Sequence, residues 1–279
     1  MKKIGVVGTG VMGIGISQLF AQAGKTVLIK SMRNNAKEAL NMINRNLEKL
    51  VSKGKITQEE LENTLSNISI VSYDEELSNC DLIVEAIEED IKSKKDLFAY
   101  LDMICEEKTI IATNTSSLSI TEIGACTNRP RKVIGMHFFN PATIMKLVEI
   151  VQGLETDLET VEKVKKLSFE LGKEPVEVNE APGFLVNRMI IPMINEAICI
   201  LSDGIASKED IDKSMKLGAN HPMGPLELGD LIGLDVCLRI MDILYKETGD
   251  CKYRANSLLR KYVRVGWLGR KTGKGFYEY

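Results

Sequence analysis

The chain has 279 residues, 44% of them hydrophobic and 27% charged, which is enough for two ordinary domains or one large one. Its 36 basic and 39 acidic side chains leave a net charge of −3, which excludes a general nucleic-acid binder and reserves anionic ligands for local basic patches. Six cysteines without a C-x-x-C pair and only two histidines argue against a zinc site or a disulfide framework.

No apolar run approaches the ~20 residues of a membrane helix, and the N-terminal MKKIGVVGTG reaches glycine after one apolar residue, with no signal-peptide core. A cytoplasmic protein with no membrane contact and no metal is expected. Residues 3–7 form a short apolar run ending at Gly8. A helical pattern follows over 11–23, with a stop at Gly24, and residues 27–29 make the next strand. Strand, glycine turn, helix and strand form a βαβ unit, which implies a right-handed crossover and a parallel sheet.

The turn Gly8-Thr9-Gly10-Val11-Met12-Gly13 reads G-x-G-x-x-G. Gly8 permits the tight turn, Gly10 lets the backbone approach a pyrophosphate, and Gly13 allows close packing of helix on strand. A tight turn that holds nothing would carry the same letters. In a dinucleotide site the second strand normally ends in a carboxylate for the ribose 2′-hydroxyl. Here "VLIKSMRN" places Ser31 there, flanked by Lys30 and Arg33. Without the carboxylate a 2′-phosphate meets no repulsion, and two charge-assisted contacts of ~1.5–3 kcal/mol each would favour NADP(H) over NAD(H). Solvated surface charges beside a loosely bound NAD are the alternative.

Ala36, Leu40, Ile43, Leu47 and Leu50 mark one face of a long helix, along which Arg45, Lys49 and Lys53 recur every four residues. On spacing alone this basic stripe is a solvated face. A charged helix over 57–65 leads to strands at 68–71, 82–84, 109–112 and 132–136, with a helix over 91–104. "TNTSSLSI" (113–120) sets short hydroxyl and amide groups just after a strand. His137 ends the apolar strand of "KVIGMHFFNP", at the end of the sheet where active groups gather. Glu149 lies in the expected antiparallel strand 146–151. A hairpin turning at 140–144 would set it beside His137, fixing the imidazole tautomer for proton exchange with a hydroxyl or carbonyl. A core histidine with an exposed glutamate would show the same spacing.

After "EAPGF" (180–184) the strand signals vanish, and helical patterns cover 186–201, 208–217 and 226–245. A boundary near Pro182-Gly183 divides a dinucleotide-binding domain, 1–182, from a helical domain, 183–279. The fold class expected is α/β, a Rossmann-type doubly wound sheet followed by an all-helical C-terminal domain. Asn187 of "PGFLVNR" falls in the first turns of the long helix, where it either faces a cleft or caps the helix. Pro192 should kink that helix, and His221 in "GANHPMGP" is read as structural.

Taken together, "ATNTSSLSITEI", "VIGMHFFNPATIMKLVEI", "EAPGFLVNRMIIPMINEA", "GANHPMGPLELGDLIGLD" and "GWLGRKTGKGFYEY" resemble the L-3-hydroxyacyl-CoA dehydrogenase family along the whole chain, most closely its short bacterial 3-hydroxybutyryl-CoA branch. The resemblance implies hydride exchange between C3 of an acyl-CoA thioester and a nicotinamide. It makes His137 the proton acceptor with Glu149 as its partner, and has Ser116 and Asn187 hold the substrate oxygens. It further implies cofactor contacts at Glu89, Lys94, Asn114 and Asn140, CoA phosphates at Lys49 and Lys53 of an inserted helical pair, and a homodimer or dimer of dimers. The family carries aspartate at the position of Ser31 and a loop one residue longer, so NADP(H) is expected where its members use NAD. Three alternatives are an NAD-dependent enzyme of broader chain length, a relative acting on a small hydroxy acid, and a nucleotide-binding protein without turnover.

Overall fold

Short apolar runs rich in Val and Ile make the strands of the N-terminal unit. In chain order its elements are β1 (Lys3–Val7), α1 (Val11–Gln22), β2 (Thr26–Lys30), α2 (Ala36–Ser52), α3 (Gln58–Ser66), β3 (Ile68–Ile70), β4 (Leu82–Glu85), α4 (Ile91–Ile104), β5 (Ile110–Thr113), α5 (Ile120–Gly124), β6 (Val133–Phe138), β7 (Leu147–Gln152), α6 (Leu158–Glu170) and β8 (Glu174–Asn179). The computed structural model describes residues 1–33 and 35–279, which divide into two units, Met1–Glu180 and Ala181–Tyr279.

One sheet contains all eight strands in the order β3-β2-β1-β4-β5-β6-β7-β8. Neighbours are parallel from β3 to β6, β7 runs antiparallel to β6, and β8 lies parallel to β7. β4, β5 and β6 are buried along their whole length, as strands covered by helices on both faces must be. The strand order reverses between β1 and β4. Loops leaving those two strands therefore flank the crevice where open α/β sheets take ligands.

Local chemistry sets the helices. α2 buries Ala36, Ala39, Ile43 and Leu47 at helical spacing and leaves Arg45, Lys49 and Lys53 exposed. α3 starts at a capping box: Thr57 Oγ1 accepts from Glu60 N at 3.1 Å, and Glu60 Oε2 accepts from Thr57 N at 2.7 Å. The sequence pattern over 152–179 announces neither α6 nor β8. α6 buries Val161, Val164 and Leu167 but exposes Leu158 and Phe169, which blurs its apolar stripe. β8 is a mostly exposed edge strand containing Pro175, and its Glu-Pro-Val-Glu-Val-Asn sequence carries little strand signal.

The C-terminal unit is helical: α7 (Val186–Ser202), α8 (Lys208–Gly218), α9 (Pro225–Ile232), α10 (Leu234–Thr248) and α11 (Ser257–Arg264). Its core gathers Ile191, Ile194, Ile198, Leu226, Leu234, Met241, Leu244 and Leu259. The single helix expected over 226–245 is in fact two. Gly233, at φ +105°, ends α9 and begins α10, a conformation that L side chains avoid. α7 continues through Pro192. Asp212 accepts the backbone N–H groups of Leu226 and Glu227 at 2.8 and 2.9 Å and so caps α9. Among the described residues no helix is long and apolar enough to cross a membrane.

Candidate active site

The glycine turn lies between β1 and α1, at the reversal of strand order. Gly8 has φ +125°, and a Cβ on it would stand 2.3 Å from the Ala86 carbonyl oxygen of the neighbouring loop. A Cβ on Gly13 would meet the Gly8 carbonyl oxygen at 2.0 Å, so α1 approaches the turn as closely as backbone allows. Around Gly10 nothing lies within 4 Å in the Cβ direction. α1 has no side-chain cap and no acidic residue in its first turn, so its first N–H groups and positive dipole end suit a phosphate. Met12, partly buried, packs against the core. These residues fit a dinucleotide pyrophosphate.

Beyond β2, the Ser31 hydroxyl accepts from Arg33 N and Asn35 N at 3.1 Å each and donates to Asn35 Oδ1 at 2.6 Å. Thr9 Oγ1 shares the Asn35 oxygen at 2.5 Å, which ties the glycine turn to this loop. The Lys30 ammonium at the end of β2 is ion-paired with Asp74. The Arg33 side chain is 75% exposed and stands 3.3 Å from Glu88.

Past β4 the polar groups are buried. Glu85 Oε1 accepts from Lys94 Nζ at 2.6 Å and from Ile87 N at 2.7 Å, while Oε2 accepts from Thr113 Oγ1 at 2.6 Å. Lys94 Nζ also stands 3.4 Å from Glu89 Oε2, and its side chain is only 1% exposed. Lys94 is thus a counter-ion to two glutamates. Glu89 Oε1 collects Thr115 Oγ1 at 2.7 Å, Ser116 N at 2.8 Å, Ser116 Oγ at 3.1 Å and Ser117 Oγ at 3.2 Å. Burial pushes the Glu85 carboxyl up despite the pull of Lys94. At Glu89 burial also acts upward, but Lys94 and the hydrogen bonds from Thr115 and Ser116 outweigh it and hold the group below its ordinary range.

β6 and β7 form the hairpin that places His137 opposite Glu149. His137 Nδ1 lies 2.7 Å from Glu149 Oε2, with the two side chains 7% and 0% exposed. The carboxylate fixes the tautomer: Nδ1–H donates to Glu149, and Nε2 carries the lone pair. Phe139 flanks the imidazole, with ring centroids 4.5 Å apart. Asn114 Oδ1 accepts from Phe138 N at 2.9 Å, joining the loop after β5 to the residue beside His137. Asn140 is exposed at the start of the hairpin loop. In the C-terminal unit Asn187 stands in the first turn of α7.

Residues 3–181 match the NAD-binding domain of 3-hydroxyacyl-CoA dehydrogenase, and residues 183–279 match the C-terminal domain of the same enzyme. A 3-hydroxybutyryl-CoA dehydrogenase of Clostridioides difficile is 56% identical over 278 residues, covering 99% of each chain. A probable 3-hydroxybutyryl-CoA dehydrogenase of Bacillus subtilis is 51% identical over 280 residues, covering 100% of this chain and 98% of its own. The crystal structure of (S)-3-hydroxybutyryl-CoA dehydrogenase from Ralstonia eutropha superposes with a TM-score of 0.97 at 44% identity, covering 100% of this chain and 99% of that one. The chain belongs to the 3-hydroxyacyl-CoA dehydrogenase family.

Two further residues of this 3-hydroxyacyl-CoA dehydrogenase fold carry no sequence signal. Glu85 looks like an ordinary strand-end acid, and only its complete burial marks it. Lys173, 4% exposed, donates to the Ala142 and Met145 carbonyls at 2.6 and 2.8 Å and pins the loop that follows His137. Burial alone lowers its pKa. A lone lysine before a polar edge strand reads as surface, and only the close approach of that loop reveals it.

Proposed function

We propose that the protein interconverts 3-hydroxybutyryl-CoA and acetoacetyl-CoA with a nicotinamide dinucleotide, using NADP(H) in preference to NAD(H). The observation that carries this reading is the buried His137–Glu149 pair, 2.7 Å apart, on a sheet whose glycine turn suits a pyrophosphate. Full-length relatives named for the same reaction support it.

When bound, the nicotinamide accepts or supplies the hydride at C3 of the substrate. His137 holds the proton at Nε2, taking it from the 3-hydroxyl in oxidation and returning it in reduction. Glu149 keeps the imidazole oriented across the 2.7 Å contact. The Ser116 and Asn187 hydrogen-bonding groups hold the substrate oxygen and thioester oxygen as charge develops. Asn114, Asn140, Glu89 and, through Glu89, Lys94 shape the cofactor side. Exposed Lys49 on α2 and Lys53 at its C-terminal cap take the CoA phosphates.

The NADP(H) preference rests on the end of β2. Ser31 replaces a repelling carboxylate, and the exposed Arg33–Glu88 pair is weak enough for a 2′-phosphate to claim the guanidinium. Such a cofactor runs the reaction mainly toward the 3-hydroxyacyl thioester, in butyrate-type fermentation or fatty acid metabolism. All six cysteines are free thiols, in keeping with the cytoplasm. Met189, Ile205 and Leu217 of the C-terminal unit are 67%, 71% and 76% exposed, which favours a homodimer or a dimer of dimers through that unit.

The test is acetoacetyl-CoA reduction with NADPH and NADH in parallel. A kcat/KM ratio favouring NADPH by about tenfold or more is expected, equal to roughly 1.4 kcal/mol, and Ser31→Asp should move it toward NADH. A ratio favouring NADH removes the cofactor assignment. His137→Ala should cut kcat by ~10²–10⁴ while dinucleotide binding persists; retained turnover removes the reaction itself.

A further inference from the structure

Glu85 ends β4 with no solvent exposure, and the proton and hydride chemistry above makes no use of it. Two chains of polar contacts leave its carboxylate, one through an ion pair and one through hydrogen bonds alone, and both arrive at the loop 114–119. One passes through Lys94, 2.6 Å from Oε1, to Glu89 and onward to the Thr115, Ser116 and Ser117 donors. The other passes from Oε2 to the Thr113 hydroxyl at 2.6 Å, which accepts Thr115 N at 3.1 Å.

Stability alone is a poor account of this arrangement. A carboxylate buried this deeply pays a large desolvation penalty, and well-packed apolar groups often replace buried ion pairs without loss. Two carboxylates also share one ammonium here, which adds repulsion to desolvation. Orientation accounts for it better. With Lys94 held by Glu85 at 2.6 Å and standing 3.4 Å from Glu89 Oε2, the other Glu89 oxygen faces the serines. Released from Glu85, the ammonium would close on Glu89 Oε2 and turn the carboxylate, and the Ser116 hydroxyl would lose the fixed oxygen it donates to.

We propose that Glu85 is a positioning residue: it holds Lys94 and Thr113, and through them sets the direction of the Ser116 hydroxyl, an inference that rests on Ser116 contacting the substrate as read above. The test is a double-mutant cycle on kcat for acetoacetyl-CoA reduction, comparing the unaltered enzyme, Glu85→Gln, Ser116→Ala and the pair. Glu85→Gln lowers kcat about tenfold while Ser116 is present and less than about twofold once Ser116 is alanine, because the network then has no hydroxyl to aim. Loss of melting temperature is the same in both backgrounds, which separates structural damage from positioning. Equal rate penalties in both backgrounds overturn the inference, as does a Ser116→Ala variant with an unchanged rate. Should Glu85→Gln fail to fold, Thr113→Val cuts one chain, leaves the Lys94 pair, and enters the same cycle under the same criterion. His137→Ala runs alongside. If it retains turnover, the reaction reading fails; if it loses turnover while the cycle is additive, only the role of Glu85 fails.

Discussion

Gly10 and Gly13 stand three residues apart in one turn, yet a methyl group added to each meets different surroundings. At Gly13 it would lie 2.0 Å from the Gly8 carbonyl oxygen, where only a shift of α1 off the sheet relieves the clash. Gly13→Ala should therefore cost about 1–3 kcal/mol of stability, the range for overpacking, read as a lower denaturant midpoint. At Gly10, φ is −76° and no atom lies within 4 Å, so Ala fits the free protein and changes stability by less than about 1 kcal/mol. The same methyl fills the approach a pyrophosphate needs, and NADPH affinity measured by fluorescence titration should fall at least about tenfold. Undiminished affinity would put the pyrophosphate elsewhere. At this scale the sequence was partly legible. Gly8, Gly13, His137 and Glu149 stand at spacings that the backbone of a βα turn and a hairpin converts directly into contacts. Glu85 was not legible, since an acid closing "LIVE" looks solvated until its burial and its three donors are seen.

α4 owes its C-terminal end to a residue from another part of the chain. Arg129 donates to the Asp102 and Cys105 carbonyls at 2.7 and 2.9 Å and to the Glu106 carbonyl, while its Nε meets Asp102 Oδ1 at 2.6 Å. These are the carbonyls that a helix end leaves without partners, and a cation there also suits the dipole. Burial acts to raise the Asp102 pKa, but the hydrogen bonds from Asn128 and Arg129 outweigh it and hold the folded value below the ordinary one. A lowered carboxylate pKa stabilises the fold above the unfolded value, near about 3.9, and that contribution is lost as pH falls through the folded value. Arg129→Ala removes the cation from Asp102 while its other oxygen keeps the Asn128 donors, so it should cost about 1.5–3 kcal/mol at pH 7, with the deficit shrinking below about pH 4. Urea unfolding of both proteins across this range checks it; a deficit independent of pH would assign the loss to the helix carbonyls alone. Other elements escaped the sequence for equally local reasons. The apolar stripes of α9 and α10 continue in phase, so only the positive φ of Gly233 separates them. β8 is hidden because an edge strand need not be apolar.

Across the whole molecule the doubly wound sheet and the helical unit were legible because buried parallel strands are continuous apolar runs and the strand signal stops after "EAPGF". Charge behaves differently, being a sum that conceals its own distribution. A net charge of −3 should on average repel a polyanion such as coenzyme A. Yet Arg45 and Lys49 of α2 and Lys53, which caps its end, are all exposed at four-residue spacing, a local run of positive charge. If the CoA phosphates settle there, the benefit belongs to the ground state and transition state alike, so it appears in KM and leaves kcat nearly unchanged. The double variant Lys49→Ala, Lys53→Ala should raise KM for acetoacetyl-CoA about tenfold or more, two exposed charge-assisted contacts being involved. KM for the acetoacetyl-pantetheine thioester, which lacks those phosphates, should stay where it was. Salt supplies the second axis. Raising ionic strength from about 0.05 to about 0.5 M screens contacts between exposed charges, so KM for acetoacetyl-CoA should climb in the unaltered enzyme and stay nearly flat in the variant. Equal changes for both thioesters would move the loss from electrostatics to the fold of α2 and take the phosphates off this face.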